Sequence, residues 1–180
     1  MSGTSFTHDA NGNLTSDGSR SFAYDKENRL LTVTGSSSIT LSYDPLGRLK
    51  DSTAAGVTTQ YLYDGDRLIA EYNSGGTVLR RYAHGAGVDE PLVWYEGSGL
   101  TNRAWLHGDE RGSVIASTNR AAAATAHTYG AYGEPSTWSG SRFKYTGQIA
   151  LSEVQLYHYK ARVYDPTMEP PEAACIQSAP

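Results

Sequence analysis

The chain has little of what most proteins use to fill a solid core. Its 180 residues include three phenylalanines, two methionines and one cysteine. The lone Cys175 excludes an internal disulfide framework and a cysteine-rich metal site, and it is silent on compartment. No run reaches the roughly 18 apolar residues of a membrane helix, and Met1-Ser2-Gly3-Thr4 lacks the basic and apolar regions of a signal peptide. No membrane span and no targeting address is expected, and localisation stays open. A formal net charge of −4 argues against a polyanion partner, so nucleic acid is not expected. No glycine-rich phosphate loop, Ser-His-Asp order or cofactor fingerprint occurs, and no cofactor or metal is expected.

What is present is nineteen glycines and thirteen tyrosines. Abundant turns with amphipathic aromatics suit an all-β wall of stacked antiparallel hairpins. The organising unit is Tyr43-Asp44-Pro45-Leu46-Gly47-Arg48-Leu49. Asp44 opens a type I turn, Pro45 presets the next φ, and Gly47 supplies the left-handed residue that closes a bulge. The resulting register sets Asp44 opposite Arg48 as a charge pair and Tyr43 opposite Leu49 as an apolar pair.

Four copies lie within residues 5–84, one β-hairpin unit each. The first is His8-Asp9-Ala10-Asn11-Gly12-Asn13-Leu14, which keeps Asp9 and Leu14 with Asn13 in place of Arg. The second has Tyr24, Asp25, Arg29 and Leu30, with Asn28 at the left-handed position. In the fourth, Tyr63-Asp64-Gly65-Asp66-Arg67-Leu68, a two-residue loop is expected to keep Asp64 opposite Arg67 and Tyr63 opposite Leu68. Spacings of 16, 19 and 20 residues separate His8, Tyr24, Tyr43 and Tyr63, the range of repeats that stack rather than fold alone.

A different pattern fills residues 85–166. Strands at Val88–Tyr95 and Asn102–Leu106 flank Gly97-Ser98-Gly99, and His107–Thr118 reads as strand, turn, strand with Gly112 as the bulge residue. Arg120–Ala126 is either a helical turn or a loop. Leu156–Pro166 alternates as a last strand. Residues 167–180 hold three prolines and neither glycine nor aromatic side chains, and read as a divergent, unstructured tail.

The Tyr-Asp-x-x-Gly-Arg-Leu units resemble the tyrosine-aspartate (YD) repeats of the rearrangement hot spot (RHS) family. His107–Val114, Tyr129–Glu134, Phe143–Gln148 and Leu156–Pro166 resemble, in order, the RHS repeat-associated core. The resemblance implies hairpins that spiral into a hollow shell around a toxic C-terminal cargo, in proteins that are secreted or delivered into target cells. The implied partners are the remainder of such a shell and its cargo. It further implies a core that cleaves itself just beyond a second Asp-Pro motif, using aspartates.

In that motif Arg162 and Asp165 match, but the chain continues Thr167-Met168-Glu169-Pro170-Pro171-Glu172 and no aspartate follows Asp165. Aspartyl chemistry needs two carboxylates that share a proton. No self-cleavage is expected, and the 14 tail residues are too few for a toxin domain. The tail reads as a junction left by recombination, frameshift or truncation.

Three functions follow: a catalytically silent shell fragment, a self-cleaving aspartyl protease core keeping Arg162 and Asp165, or an extracellular sugar- or surface-binding module. His107, Asp109 and Glu110 have ligand chemistry, yet neighbours on a strand point to opposite faces and a polar turn accounts for them. His158, between Tyr157 and Tyr159, fits an alternating wall residue. Open strand edges in so few repeats lead to the expectation of self-association.

Overall fold

The computed structural model describes residues 6–168. It is all-β. The strands are β1 (Thr7–His8), β2 (Leu14–Ser16), β3 (Ser21–Tyr24), β4 (Leu30–Thr34), β5 (Ile39–Tyr43), β6 (Leu49–Ala54), β7 (Val57–Asp64) and β8 (Arg67–Asn73). They continue as β9 (Val78–His84), β10 (Pro91–Glu96), β11 (Arg103–Gly108), β12 (Val114–Asn119), β13 (Ala124–Ala126), β14 (Ile149–Leu151), β15 (Leu156–Tyr159) and β16 (Arg162–Tyr164). The first thirteen form one sheet whose strand order is the order of the chain, and the last three form a small sheet. By contacts the chain divides into two units, residues 1–58 with 151–180, and residues 59–150.

In the first unit the opening heptad has the geometry its residues dictate. Gly47 sits at φ +80, its N–H donates to the Asp44 carbonyl at 2.9 Å, and the register slips at Ser42/Tyr43 so that Tyr43 pairs with Leu49. The open left-handed region there favours glycine, and Asn28 takes it at φ 60 in the preceding copy. Asp44 does more than face Arg48. Its Oδ1 accepts the N–H of Leu46 at 2.9 Å and of Arg48 at 3.0 Å, while Oδ2 takes Arg48 Nε at 2.7 Å. Asp25 repeats every one of these bonds with Glu27 and Arg29, and Asp9 repeats the backbone pair with Asn11 and Asn13. The side chain thus closes the turn as an Asx motif, freeing the tip from any need for strand pairing.

Successive repeats are clamped by a bond the sequence reading did not anticipate. Tyr24 Oη donates to the Leu14 carbonyl at 2.7 Å, and Tyr43 Oη to the Leu30 carbonyl at 2.8 Å. Each tyrosine therefore satisfies the leucine carbonyl of the repeat before it, and burial holds both phenols well above their ordinary pKa. Between them Leu14, Leu30, Val33, Leu41 and Leu49 are buried, each worth roughly 1.5–3 kcal/mol on removal from water. Leu151, Val154, Leu156, Tyr157 and Val163 are buried in the same unit. Leu156–Pro166 is not one strand: Lys160 at φ 57 breaks it into the β15–β16 hairpin, where Tyr159 pairs with Arg162.

The second unit runs on the same turn. Asn73 Oδ1 accepts from Gly75 and Thr77, Asp109 Oδ1 from Arg111 and Ser113, and Asn119 Oδ1 from Ala121 and Ala123, all at 2.8–3.0 Å. The alanine-rich stretch is accordingly a hairpin, with Ala122 at φ 59 and β13 following. The clamp recurs too. Tyr129 Oη donates to the Val114 carbonyl at 2.7 Å, and His84 Nε2 lies 2.8 Å from the Leu68 carbonyl, a tyrosine's role taken by the Nε2–H tautomer of an imidazole. Gly147 closes the Phe143–Gln148 motif: at φ +70, a Cβ there would stand 2.2 Å from the Asp89 carbonyl oxygen.

In the shortened copy the register is as expected, Asp64 with Arg67 and Tyr63 with Leu68. The ion pair is not. Arg67 turns away and donates to the Ala86 and Gly87 carbonyls at 3.2 and 3.4 Å, and no Asp64–Arg67 pair forms among the described residues. The two-residue loop removes the Asx bonds that hold the carboxylate toward the arginine in the longer copies.

Tyr43→Phe removes one clamp and leaves the Leu30 carbonyl without its donor. Urea unfolding is expected to report a loss of about 1–3 kcal/mol, the cost of an unsatisfied buried carbonyl. An unchanged midpoint would deny the clamp its role.

Candidate functional site

Asp165, the aspartate of the Tyr-Asp-Pro motif, follows β16 and is fully buried. Arg20 Nη2 donates to its Oδ2, while Thr167 donates to Oδ1 through its backbone N–H at 2.8 Å and its hydroxyl at 2.7 Å. The same guanidinium reaches back through Nε to Asp17 Oδ2 at 2.6 Å, and Asp17 Oδ1 accepts the N–H groups of Ser19 and Arg20. Burial alone would lower the Arg20 pKa, but Asp165 and Asp17 outweigh it and raise the pKa. Asp17 shows the mirror effect. Burial pushes its carboxyl up, and hydrogen bonds from Arg20 and Ser19 bring the net value below the ordinary range.

Two carboxylates do therefore flank one point, but a guanidinium stands between them where aspartyl chemistry would place a shared proton. The cation beside Asp165 is Arg20, 145 positions upstream, rather than Arg162. Arg162 lies on β16, half-buried, and makes no ion pair among the described residues. Thr167 and Met168, assigned to the tail by composition, belong to the ordered structure, with Met168 buried. Residues 169–180 lie outside the described part.

The remaining candidates disperse. His107 Nε2 bonds Thr118 Oγ1 at 2.8 Å, Asp109 is spent on its turn, and no three potential metal ligands cluster among the described residues. His158 is 3% exposed, its ring 6.1 Å from that of Tyr43, and neither ring nitrogen has a hydrogen-bond partner among the described residues. Burial pushes its pKa down to about 4.

One polar centre escaped the sequence reading. Glu71, fully buried on β8, accepts Arg142 Nη2 at 3.0 Å and Arg80 Nη1 at 3.1 Å on Oε2. Its Oε1 takes Arg142 Nε at 3.2 Å and the Tyr82 hydroxyl. Burial opposes the charge, yet the arginines prevail and hold the carboxyl below its ordinary pKa. The signal available was a glutamate within the run Leu68-Ile69-Ala70-Glu71-Tyr72 of β8.

Residues 1–169 match the Teneurin YD-shell family. The chain belongs to it. Among curated YD-shell relatives, "tRNA3(Ser)-specific nuclease WapA" of Bacillus spizizenii and "tRNA nuclease WapA" of Bacillus subtilis strain 168 are each 31% identical over 175 residues. The matched stretch is 90% of this chain and 7% of each relative. Among solved structures, a crystal structure of TcdB2-TccC3-Cdc42 matches at TM-score 0.69 with 16% identity, over 96% of this chain and 10% of that one. A Photorhabdus luminescens Tc holotoxin pore carrying a TccC3 substitution matches at 0.68 with 15% identity, over 96% and 9%. At such identities the structures speak to fold alone, and that fold is the RHS/YD-repeat shell. No helix among the described residues is long and apolar enough to cross a membrane.

In this YD-shell chain His158 links stability to pH. Its folded pKa, about 4, lies below the unfolded value of 6.5, so the unfolded chain binds the proton first as pH falls. Its contribution is intact above pH 6.5 and is lost progressively down to about 4, roughly 3 kcal/mol in total. Urea midpoints across that window are expected to fall for the native chain and to fall distinctly less for His158→Phe. Parallel slopes would contradict the assignment.

Proposed function

We propose that this YD-shell chain is a wall segment of an RHS-type toxin shell, itself without toxin or protease activity. In a larger parent protein it contributes hairpins to an enclosure around a C-terminal cargo, and the rest of that shell and the cargo are its partners. The reading is carried by Asp165, whose carboxylate is buried and already engaged by Arg20 and Thr167. A group so employed anchors the β15–β16 hairpin rather than acting as a base. The WapA relatives, named as tRNA nucleases, support the link to toxins, and the matched stretch is a small share of their length.

The second reading, a self-cleaving aspartyl core, draws on the nearness of Asp17 and Asp165 about Arg20. The two separate by mass. Purified chain is expected to stay at 19.4 kDa for days, with Asp165→Asn lowering stability and leaving the mass pattern unchanged. Fragments that appear in the native chain and vanish in the variant would establish the protease instead. The first and last strands of the large sheet, β1 and β13, have exposed side chains throughout and leave edges for self-association, so the average molar mass that light scattering gives for the same sample is expected to rise with concentration. A clean monomer would count against that part of the reading.

A further inference from the structure

Ser117 and His127 meet in the second unit, and the register accounts for it. Ser117 pairs with Thr125 and Ala116 with Ala126, and the His127 N–H donates to the Ile115 carbonyl at 2.8 Å, which carries the ladder one residue past β13. His127 is thereby the diagonal neighbour of Ser117 on the same face, a separation that a long side chain spans. It does so here: Ser117 Oγ lies 3.1 Å from His127 Nε2. Pairing with Leu106 on the other side keeps the serine in mid-sheet.

Two further observations give the pair chemical meaning. The imidazole is held neutral: burial lowers its pKa, the Lys144 cation lowers it further, and no carboxylate among the described residues pulls the other way. Lys144, held down to about 8 by burial and Arg142, still carries its charge at pH 7, and its Nζ is tethered to the Ser139 carbonyl at 2.8 Å. A neutral ring with its proton on Nδ1 presents Nε2 as an acceptor to the serine hydroxyl. Ser117 also lines a pocket of about 200 Å³, to which His127 does not contribute. Trp94, Ala104 and Ala123 give that pocket apolar walls, and the indole is fixed by donation to Glu96 Oε2 at 3.0 Å. Asn119, another lining residue, commits its Oδ1 to the N–H groups of Ala121 and Ala123, so what its side chain can offer is the Nδ2 donor.

We propose that Ser117 and His127 are a nucleophile and its general base, and that they hydrolyse small carboxylic esters whose acyl group enters the Trp94 pocket. Ser117 Oγ adds to the ester carbonyl carbon while its proton passes to His127 Nε2. The tetrahedral intermediate, its oxyanion answered by the Asn119 amide, expels the alcohol, which takes that proton from His127. Water then attacks the acyl-serine and gives a proton to His127, the carboxylic acid leaves, and Oγ recovers the proton. Ester and water become acid and alcohol, with no other reactant. The pocket is smaller than the roughly 300–1,000 Å³ of sites for drug-sized ligands, which restricts it to short acyl chains. With no acid to orient the imidazole, the expected course with an activated ester is acylation followed by slow release. The site stands apart from the shell reading, and its failure would leave that reading untouched.

The test treats the whole chain with p-nitrophenyl acetate and, separately, with diisopropyl fluorophosphate. The ester is expected to give a burst of p-nitrophenolate that approaches one equivalent of protein, and the fluorophosphate a single adduct that peptide mass mapping places on Ser117. Ser117→Ala and His127→Gln are each expected to slow acylation about a hundredfold or more. His107→Gln removes an imidazole from the opposite face of the same sheet, where His107 pairs with Ala116, and is expected to leave the burst unchanged. The adduct is read on the native chain, so a variant that fails to fold does not remove the test. No burst, an adduct on a tyrosine or lysine in place of Ser117, or acylation that survives His127→Gln at the native rate would each overturn the proposal.

Discussion

Everything in this wall rests on one local hydrogen-bond motif, the carbonyl or carboxylate oxygen of an Asp or Asn accepting two backbone N–H groups two and four residues on. Among the described residues six turns use it, at Asp9, Asp25, Asp44, Asn73, Asp109 and Asn119. In all six the residue three places after the acceptor has φ between 59 and 83. A turn that satisfies its own backbone needs no neighbour to form, and a fixed turn fixes register. From register comes the bulge at Ser42/Tyr43, and from the bulge the pairing of Tyr43 with Leu49.

Stacking then follows from what register places side by side. Four carbonyls near the starts of strands, those of Leu14, Leu30, Leu68 and Val114, have a donor brought to them by chain further on, a phenol from Tyr24, Tyr43 and Tyr129 or an imidazole from His84. Tyrosine is well suited because its ring adds apolar area while its hydroxyl reaches the carbonyl. Within each unit a buried carboxylate ties distant chain together, Asp165 to Arg20 in one and Glu71 to Arg142 in the other. Such pairs cost desolvation and add little net stability, but removal of one partner leaves an uncompensated buried charge. They specify where a returning segment docks. Asp165, the most conspicuous acid of the chain, is accordingly engaged on both oxygens, by Arg20 and by Thr167.

The hairpins were legible because their instructions are local. Asp44, Pro45 and Gly47 spell out a turn within four residues, and the alternation of Ile39 to Tyr43 needs no distant partner to be read. The charge pair drew too much weight. Asp25 and Asp44 do bind arginine, yet Asn73, Asp109 and Asn119 build the same turn without one, and the Asp64–Arg67 register persists without the ion pair. Arg20–Asp165 and Glu71–Arg142 were illegible because 145 and 71 positions separate the partners, and no periodicity records a contact of that kind. The single last strand expected at Leu156–Pro166 failed for a subtler reason. β15 is buried at three consecutive positions and only β16 alternates, and the positive φ at Lys160, a residue with no special turn propensity, divides them.

The central claim is that side-chain acceptance of turn N–H groups, rather than Asp–Arg attraction, holds the repeat. Comparing the unfolding midpoints of Asp44→Asn and Asp44→Ala tests it most directly. Asparagine keeps an Oδ1 for Leu46 and Arg48 and gives up the ion pair, as Asn73 does naturally, whereas alanine gives up both. The account predicts that the asparagine variant retains most of the native midpoint and the alanine variant falls well below it. Equal losses in the two would show that the charge, and not the turn, was the constraint.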